Sequence, residues 1–451
     1  MTTTHSVIVV GAGISGLASA HALKKAGKDV LLLESSRSVG GLIKSVVEQD
    51  FLFEIGPQSF SATTALNKLF NDLKISADVL TAPSRAPRYI LVNGQLRAVP
   101  LSPPALLASS LLSWRTKFSL VREAFGKTVP PSDDESIAGF VRRKFTSELL
   151  ELLVGPFVSG IYAGDPEKLS LRAAFPQIHE AEEEAGSIVR GMKAAGKGTS
   201  PRQKPTLANF RNGNETLPRS ISQFLGTSLR TAVRVTQISR NSSNEFELEA
   251  TTGSGPAQFR TRQIVLATPA YVSAPLIETF LPAASVILTQ LEYVSVAVVS
   301  LGYRRTDVGH SLDGFGFLVP RSAGLRVLGT VWNSSLFPNR APQDHFLLTS
   351  FLGGATDPSA AMLSSSLLVN QTHRELSPIL GLKAEPVLTR VTVHEHAIPQ
   401  YAIGHTHRIV GLKRMLSTVS GLHLVGNYLQ GPSIGACVEQ AQAVAESIRI
   451  G

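Results

Sequence analysis

Three glycines spaced Gly11-x-Gly13-x-x-Gly16 follow a run of apolar residues and open an alanine-rich stretch, and the carboxylate of Glu34 follows about 20 residues on. In such a loop, Gly11, Ala12, Gly13, Ile14, Ser15 and Gly16 turn tightly and bring backbone N–H groups to a pyrophosphate. Gly11 permits the turn, Gly13 lets the backbone approach, and Gly16 lets helix and strand pack closely. An acidic residue at the position of Glu34 accepts from a ribose hydroxyl and repels a 2′-phosphate. A second candidate lies near the other end, where Gly426 and the run Gly431-Pro432-Ser433-Ile434-Gly435 precede a helix and can turn backbone amides toward a phosphate or a flavin edge. Both FAD and NAD fit these residues.

Such chemistry requires particular elements around it. Residues 6–10 read as an apolar strand, 14–26 as a helix and 29–33 as a second apolar strand, which together make a βαβ unit. From about 100 to 191 the chain changes character and reads as helices, including 105–114 and 137–153, a helical insertion. Strand patterns return at 233–238, 245–249, 263–267, 294–300 and 345–351, enough for sheets in two domains. A last short strand spans 421–426 and a closing amphipathic helix 436–448, while the Gly, Lys, Ser and Pro-rich stretch 193–205 reads as a surface loop.

The chain's 451 residues call for two or three domains, and 43% apolar against 17% charged residues is a folded composition. A net charge of +9 favours anionic partners, but no basic run exceeds Arg142-Arg143-Lys144 and no nucleic-acid module is present, so nucleic acid is not expected. The single cysteine, Cys437, excludes an intrachain disulfide framework and a Cys-rich metal cluster and suits a reducing compartment. His394 and His396 stand two apart without a third ligand at usual spacing and read as strand residues, so no metal is expected. With neither a transit peptide nor a secretory signal at Met1-Thr-Thr-Thr-His5, and no long apolar run, the expectation is a cytoplasmic protein that touches a membrane, if at all, from one side.

The continuation Glu34-Ser35-Ser-Arg37-Ser-Val-Gly40-Gly41-Leu42 resembles the second signature of the amine oxidase and porphyrinogen oxidase superfamily, and that resemblance implies FAD rather than NAD. Four further stretches resemble the protoporphyrinogen oxidase family, in family order over nearly the whole chain: Glu54-Ile-Gly56-Pro57-Gln58-Ser59-Phe60; Phe157-Val-Ser-Gly160 through Pro166 with Leu169-Ser170; Gly314 through Pro320 and Ser334 through Arg340; and Ile398-Pro-Gln-Tyr401 with Gly404-His405.

The resemblance implies an α/β, multidomain fold: a Rossmann-like FAD-binding domain in three pieces (1–82, 206–275, 415–451), a mixed-sheet substrate domain in two (83–99, 276–414), and a helical membrane-binding insertion (100–195). It implies noncovalent FAD held by the Gly11–Gly16 loop, Glu34, Ser35, Gly41, Leu42, Gly56, Pro57, Gln58, Ser59, Val235, Gly426, Pro432, Ser433 and Ile434. Cys437 lacks the surroundings of a flavin-linking cysteine. The activity implied is six-electron oxidation of a porphyrinogen, with hydrides passing to the flavin and oxygen as acceptor. The protein then positions the substrate and needs no acid–base dyad. What it adds is an apolar slot, for which Phe315, Leu318, Leu328 and Gly160 are candidates, and a cation for the propionates, Arg88. Gln58 stands where relatives carry Arg or Asn, which moves carboxylate recognition to Arg88. The apolar stretch 103–114, with Arg115 and Lys117 beside it, reads either as a helix lying in a bilayer surface or as a buried core helix. A homodimer is a further expectation. The rivals are a coproporphyrinogen III oxidase of the same fold, an amine oxidase or carotenoid desaturase sharing only the first signatures, and a flavin-binding membrane adaptor without turnover.

Overall fold

The computed structural model describes residues 2–100, 102–197 and 206–450. Its first strand, Thr2–Val10, lies between Val30–Leu33 and Gly255–Leu266, parallel to both, with Val7 opposite Val30 on one side and Gln263 on the other. All three end in continuous apolar runs because a parallel strand covered on both faces has no solvent side to alternate toward. Leu422–Leu424 adds in parallel beyond Gly255–Leu266, and an antiparallel pair, Phe246–Thr252 and Val233–Arg240, extends that same edge.

One face of this sheet is covered by helices Ile14–Lys25, Thr64–Leu73, Thr216–Leu225 and Ile434–Ile450. The other is covered by Ala270–Ile277, Pro282–Thr289 and His405–Leu416. This second layer continues to Leu291 and resumes by Ile409.

The second large sheet is mixed and seven-stranded, in the order Leu388–Pro399, Tyr293–Arg304, His345–Gly353, Val327–Trp332, Gly316–Leu318, Arg88–Val92, Gln95–Ala98. Helix Ser365–Leu380 packs on one face through Leu368, Leu376 and Leu380.

Between residues 102 and 197 the chain is mainly helical, and hydroxyl side chains mark several of the starts. Ser102, Ser113, Ser136, Thr146 and Ser170 each accept a hydrogen bond from the backbone N–H three residues on, the N-cap role of a hydroxyl side chain. These caps correct two expectations. Residues 105–114 do not form one helix: Pro103–Ala108 stops and Trp114–Phe125 begins at the Ser113 cap. Likewise 137–153 breaks at Phe145, because Thr146 starts a new turn that runs through a π-helical stretch, Leu150–Val154, into Gly155–Tyr162. Of the expected loop 193–205, helix Ile188–Lys197 takes the first residues, and 198–205 lie outside the described residues.

The helices are tied by buried charges. Lys144 Nζ lies 3.0 Å from Glu182 and 3.3 Å from Glu123, and Arg143 donates to Glu182 and Glu135. Burial alone would raise the Glu182 carboxyl, but hydrogen bonds from Arg143, Thr128 and Lys144 hold it at about 2. A carboxyl depressed in the fold adds stability above its unfolded range near 4.5, and that stability is lost as pH falls toward 2. Replacing one member strands the others: Lys144→Met is expected to cost about 3–5 kcal/mol in urea unfolding. Glu182→Gln is expected to flatten the loss of melting temperature between pH 4.5 and 2.5, and an unchanged acid profile would refute the cluster's role.

Candidate active site

The glycine loop is shaped by close contacts on one side and open space on the other. Gly11 has φ +99°, and a Cβ on Gly16 would sit 1.8 Å from the Gly11 carbonyl oxygen and 2.9 Å from Ala267 Cβ. A Cβ on Gly13 would meet nothing within 4 Å. Helix Ile14–Lys25 has no acid in its first turn and Lys24 and Lys25 in its last, so its start is an anion site by partial charge.

The Gly-Gly pair folds over this loop. Gly40 N–H donates to the Ala12 carbonyl at 2.8 Å, Gly40 bridges Gly13, and Gly41, at φ +59°, has its Cβ direction 3.4 Å from Gly13 Cα. Glu34 sits at the same corner: its carboxylate accepts from Ala12 N–H and Ser36 N–H, both at 2.7 Å, and from the Ser35 hydroxyl at 3.3 Å. Val233 N–H donates to the Glu34 carbonyl at 2.8 Å, which brings the strand carrying Val235 alongside. Leu42 is exposed, and its carbonyl lies 1.9 Å from where a Cβ on Gly56 would stand, so Gly56 must be glycine for these segments to meet.

The segment Gly56-Pro57-Gln58-Ser59 rests on a buried polar network. Glu54, 2% exposed, accepts from Ser45 Oγ at 2.7 Å, Asn214 N–H at 2.8 Å and Asn209 Nδ2 at 3.1 Å, and burial pushes its carboxyl up. The second amide hydrogen of Asn209 goes to the Gln58 carbonyl, and Asn214 Nδ2 donates to the Pro57 carbonyl. Gln58 turns its own amide inward. Its Nε2 donates to the carbonyls of Glu54 and Gly56, and its Oε1 accepts from Asn333 Nδ2 at 2.7 Å. The Gln58 side chain therefore ties the loop to the second sheet, a role the sequence reading missed along with Asn209, Asn214 and Asn333.

Tyr401 holds the C-terminal loop. Its hydroxyl donates to the Asn427 carbonyl at 2.5 Å and accepts from Gly431 N–H at 2.6 Å, while its ring stacks on buried His405 at 4.4 Å. Gly426 lies just before this loop and Pro432 just after. Ser433 Oγ accepts from Ala436 N–H at 3.1 Å, capping the helix that Ile434 begins. Gly435 fits because a Cβ would come within 2.7 Å of Thr63 Cγ2. Cys437 is buried, its thiol pushed up to about 11 by burial, which suits packing rather than covalent attachment.

The substrate candidates converge on the second sheet. Gly316 pairs with Arg88 and Leu318 with Ile90, so alternation sends Phe317 into the core and turns Leu318, half-buried, to the other face; Phe315, half-buried, lies just before the strand. The Arg88 guanidinium lies 5.5 Å above the Phe315 ring. A Cβ on Gly160 would lie 2.9 Å from Leu318 Cδ2, so that glycine brings helix Gly155–Tyr162 onto the strand. Leu328 joins Phe351, Val294 and Ile398 around Ala163, Val296 and Ala397, and Phe351 is an apolar wall residue the sequence reading did not single out. His394 and His396 do not converge: a bulge between Val294 and Val296 turns them apart, His394 to the Ile55 carbonyl at 2.6 Å and His396 onto the Tyr271 ring at 4.4 Å. Among the described residues no group of three His, Cys, Asp or Glu side chains is placed to hold a metal ion.

Together the parallel sheet, the glycine loop with its open phosphate face and the apolar wall beside it define a dinucleotide-binding oxidoreductase. The family model described as flavin containing amine oxidoreductase matches residues 14–449, and the chain belongs to that family, in its protoporphyrinogen oxidase branch. It is 35% identical to the chloroplastic protoporphyrinogen oxidase of Nicotiana tabacum, over 98% of this chain and 85% of that one. It is 30% identical to the coproporphyrinogen III oxidase of Bacillus subtilis, over 97% and 96%. A crystal structure from Exiguobacterium sp. 255-15, provisionally named a protoporphyrinogen oxidase, superposes with a TM-score of 0.83 at 25% identity over the whole of both chains. The cofactor is FAD, and the open face at Gly13, the uncompensated helix start and the Glu34 carboxylate fit it.

The two loop glycines separate folding from binding. Gly16→Ala, with its Cβ inside the Gly11 carbonyl, is expected to yield little folded protein. Gly13→Ala is expected to fold with a near wild-type melting temperature as apoprotein while retaining FAD at least about 10-fold more weakly by fluorescence titration. Equal FAD affinity for Gly13→Ala and wild type would contradict this placement of the phosphates.

Proposed function

We propose that this chain oxidises protoporphyrinogen IX to protoporphyrin IX in heme biosynthesis, removing six electrons as hydrides that FAD accepts and passes to molecular oxygen. The observations that carry the reading are half-buried apolar residues of the second sheet: Leu328 and Phe351 over Val296 and Ala397, Leu318 against Gly160, and Phe315 with the Arg88 guanidinium over its ring. A flat, apolar macrocycle with propionates at one edge matches such a wall with a single cation at its rim. The wall excludes water from the reacting edge, and Arg88 orients the ring by a charge-assisted contact.

We place the FAD contacts on the Gly11–Gly16 loop, Glu34, Ser35, Gly41, Leu42, the backbone of 56–59, Val235, Gly426 and 432–434. Coproporphyrinogen III is the second reading, favoured by the likeness to the Bacillus subtilis enzyme. An amine substrate has no such support: the solved putrescine oxidase shares 18% identity with this chain and hence the fold alone. Steady-state porphyrin formation decides between them. Protoporphyrinogen IX is expected to give the higher kcat/KM, and Arg88→Met to raise KM about 10-fold or more with little change in kcat. A higher kcat/KM for coproporphyrinogen III would promote the second reading, and an unchanged KM in Arg88→Met would remove that residue from the site.

We also place a one-sided membrane contact on the helical segment, with the enzyme working as a homodimer from the cytoplasmic side. Among the described residues no helix is long and apolar enough to cross a membrane. Within the stretch 103–114, Leu111 and Leu112 pack into the core while Leu107 and Trp114 stay exposed. Helix Trp114–Phe125 exposes Trp114 (72%), Phe118 (62%), Val121 (40%) and Phe125 (82%), one stripe at helical spacing, with Arg115, Lys117 and Arg122 on the same helix. The triple variant Trp114→Ser, Phe118→Ser, Phe125→Ser is expected to lose at least about 10-fold in binding to phosphatidylserine-containing vesicles while keeping its melting temperature. Undiminished vesicle binding would exclude this helix.

A further inference from the structure

We infer that His394 is a catalytic base of the oxidation, taking the proton that leaves the macrocycle with each hydride. This inference rests on the porphyrinogen reading above. Each two-electron step removes one hydride from a meso carbon and one proton from a pyrrole nitrogen or from carbon. Over three steps the ring sheds three hydrides, which FAD accepts and oxygen finally takes, and three protons, which need an acceptor beside an otherwise apolar wall.

His394 is placed for that task. It stands directly across the strand pair from Val296, and paired residues project from the same face, so it shares the face that carries Val296, Leu328 and Phe351. Its Nε2 lies 2.6 Å from the Ile55 carbonyl oxygen, adjacent to Gly56 and the segment assigned to the flavin. A carbonyl only accepts, so Nε2 carries the hydrogen and the neutral ring keeps its lone pair on Nδ1. Nδ1 has no protein partner among the described residues. The bulge that follows produces this placement: residues 395–397 face the single residue Ser295, so His396 turns onto Tyr271 and Tyr293 while His394 stays over the loop.

Other groups near the wall are engaged. Asp165 accepts from Glu167 N–H and faces Arg321 at 3.7 Å, and Arg88 is a fixed cation. The remaining titratable groups on the elements packed against His394 are Lys44, Glu48, Asp50 and Glu54 on the hairpin side, Arg390 paired with Glu48 at 2.9 Å, Tyr293, Tyr303 and Arg304 on the neighbouring strand, and Glu395 and His396 in the bulge. Glu54 is consumed by its three donors.

The test is anaerobic stopped-flow reduction of the FAD-loaded enzyme by protoporphyrinogen IX across pH, with dithionite reduction as control. In wild type the rate is expected to fall toward acid pH. His394→Gln keeps an N–H for the Ile55 carbonyl but has no base, and is expected to bind FAD, accept electrons from dithionite normally, reduce about 100-fold more slowly with substrate, and lose the acid limb. His394→Ala is expected to be slow and to recover when imidazole is added. A wild-type rate and pH profile in His394→Gln, or a slow His394→Ala that keeps the acid limb and ignores imidazole, overturns the inference while leaving the substrate reading intact. No reduction of wild type by any porphyrinogen sinks that reading, and this inference with it.

Discussion

A buried carboxylate holds the site together. Glu54 has three donors, Ser45, Asn209 and the backbone of Asn214, and no counter-ion within salt-bridge distance among the described residues. Taking a carboxylate out of water is costly unless hydrogen bonds replace its hydration, so these donors cannot drift without a penalty of several kcal/mol. The network continues through the Asn209 and Asn214 amides to the carbonyls of Pro57 and Gln58, and through Gln58 to Asn333 on the second sheet. The loop 56–59 is thereby fixed relative to both sheets.

The glycines provide the complementary constraint. Gly11, Gly16, Gly40 and Gly56 occupy places where a side chain would strike backbone within about 3 Å, so the two N-terminal signatures interlock while the side at Gly13 stays open. On the opposite side, Tyr401 reaches from the end of the second sheet's edge strand to both ends of the loop 427–431. Burial lowers His405 beneath it to about 4, so the stacked ring stays neutral over the working pH range. The loops at the end of the parallel sheet are thus held on one side by the interlocked glycines and on the other by Tyr401.

Much of the fold was legible in the sequence. Strands buried on both faces read as unbroken apolar runs, and the glycine spacing fell between a strand and a helix where the chemistry requires it. What stayed hidden depended on contacts between distant segments. Gln58 looked like a ligand because its neighbours carry the family pattern, yet its amide is spent on Glu54, Gly56 and Asn333, partners that no local window contains. Phe351 sits in a strand whose alternate residues face different cores, and only the pairing with Gly329 shows which face it takes. The stretch 103–114 read as one amphipathic unit because the Ser113 cap and the burial of Leu111 and Leu112 are tertiary facts. His394 and His396 appeared equivalent until a bulge separated them.

Diffraction from crystals of the FAD-loaded protein with protoporphyrin IX bound tests most directly whether one wall and one loop bring the two molecules together. The expected result is the macrocycle lying against Leu318, Leu328 and Phe351, a propionate on Arg88, and the pyrophosphate across Gly13 with the flavin over residues 56–59. A porphyrin bound elsewhere, or a flavin ring remote from the 56–59 segment, would contradict the account.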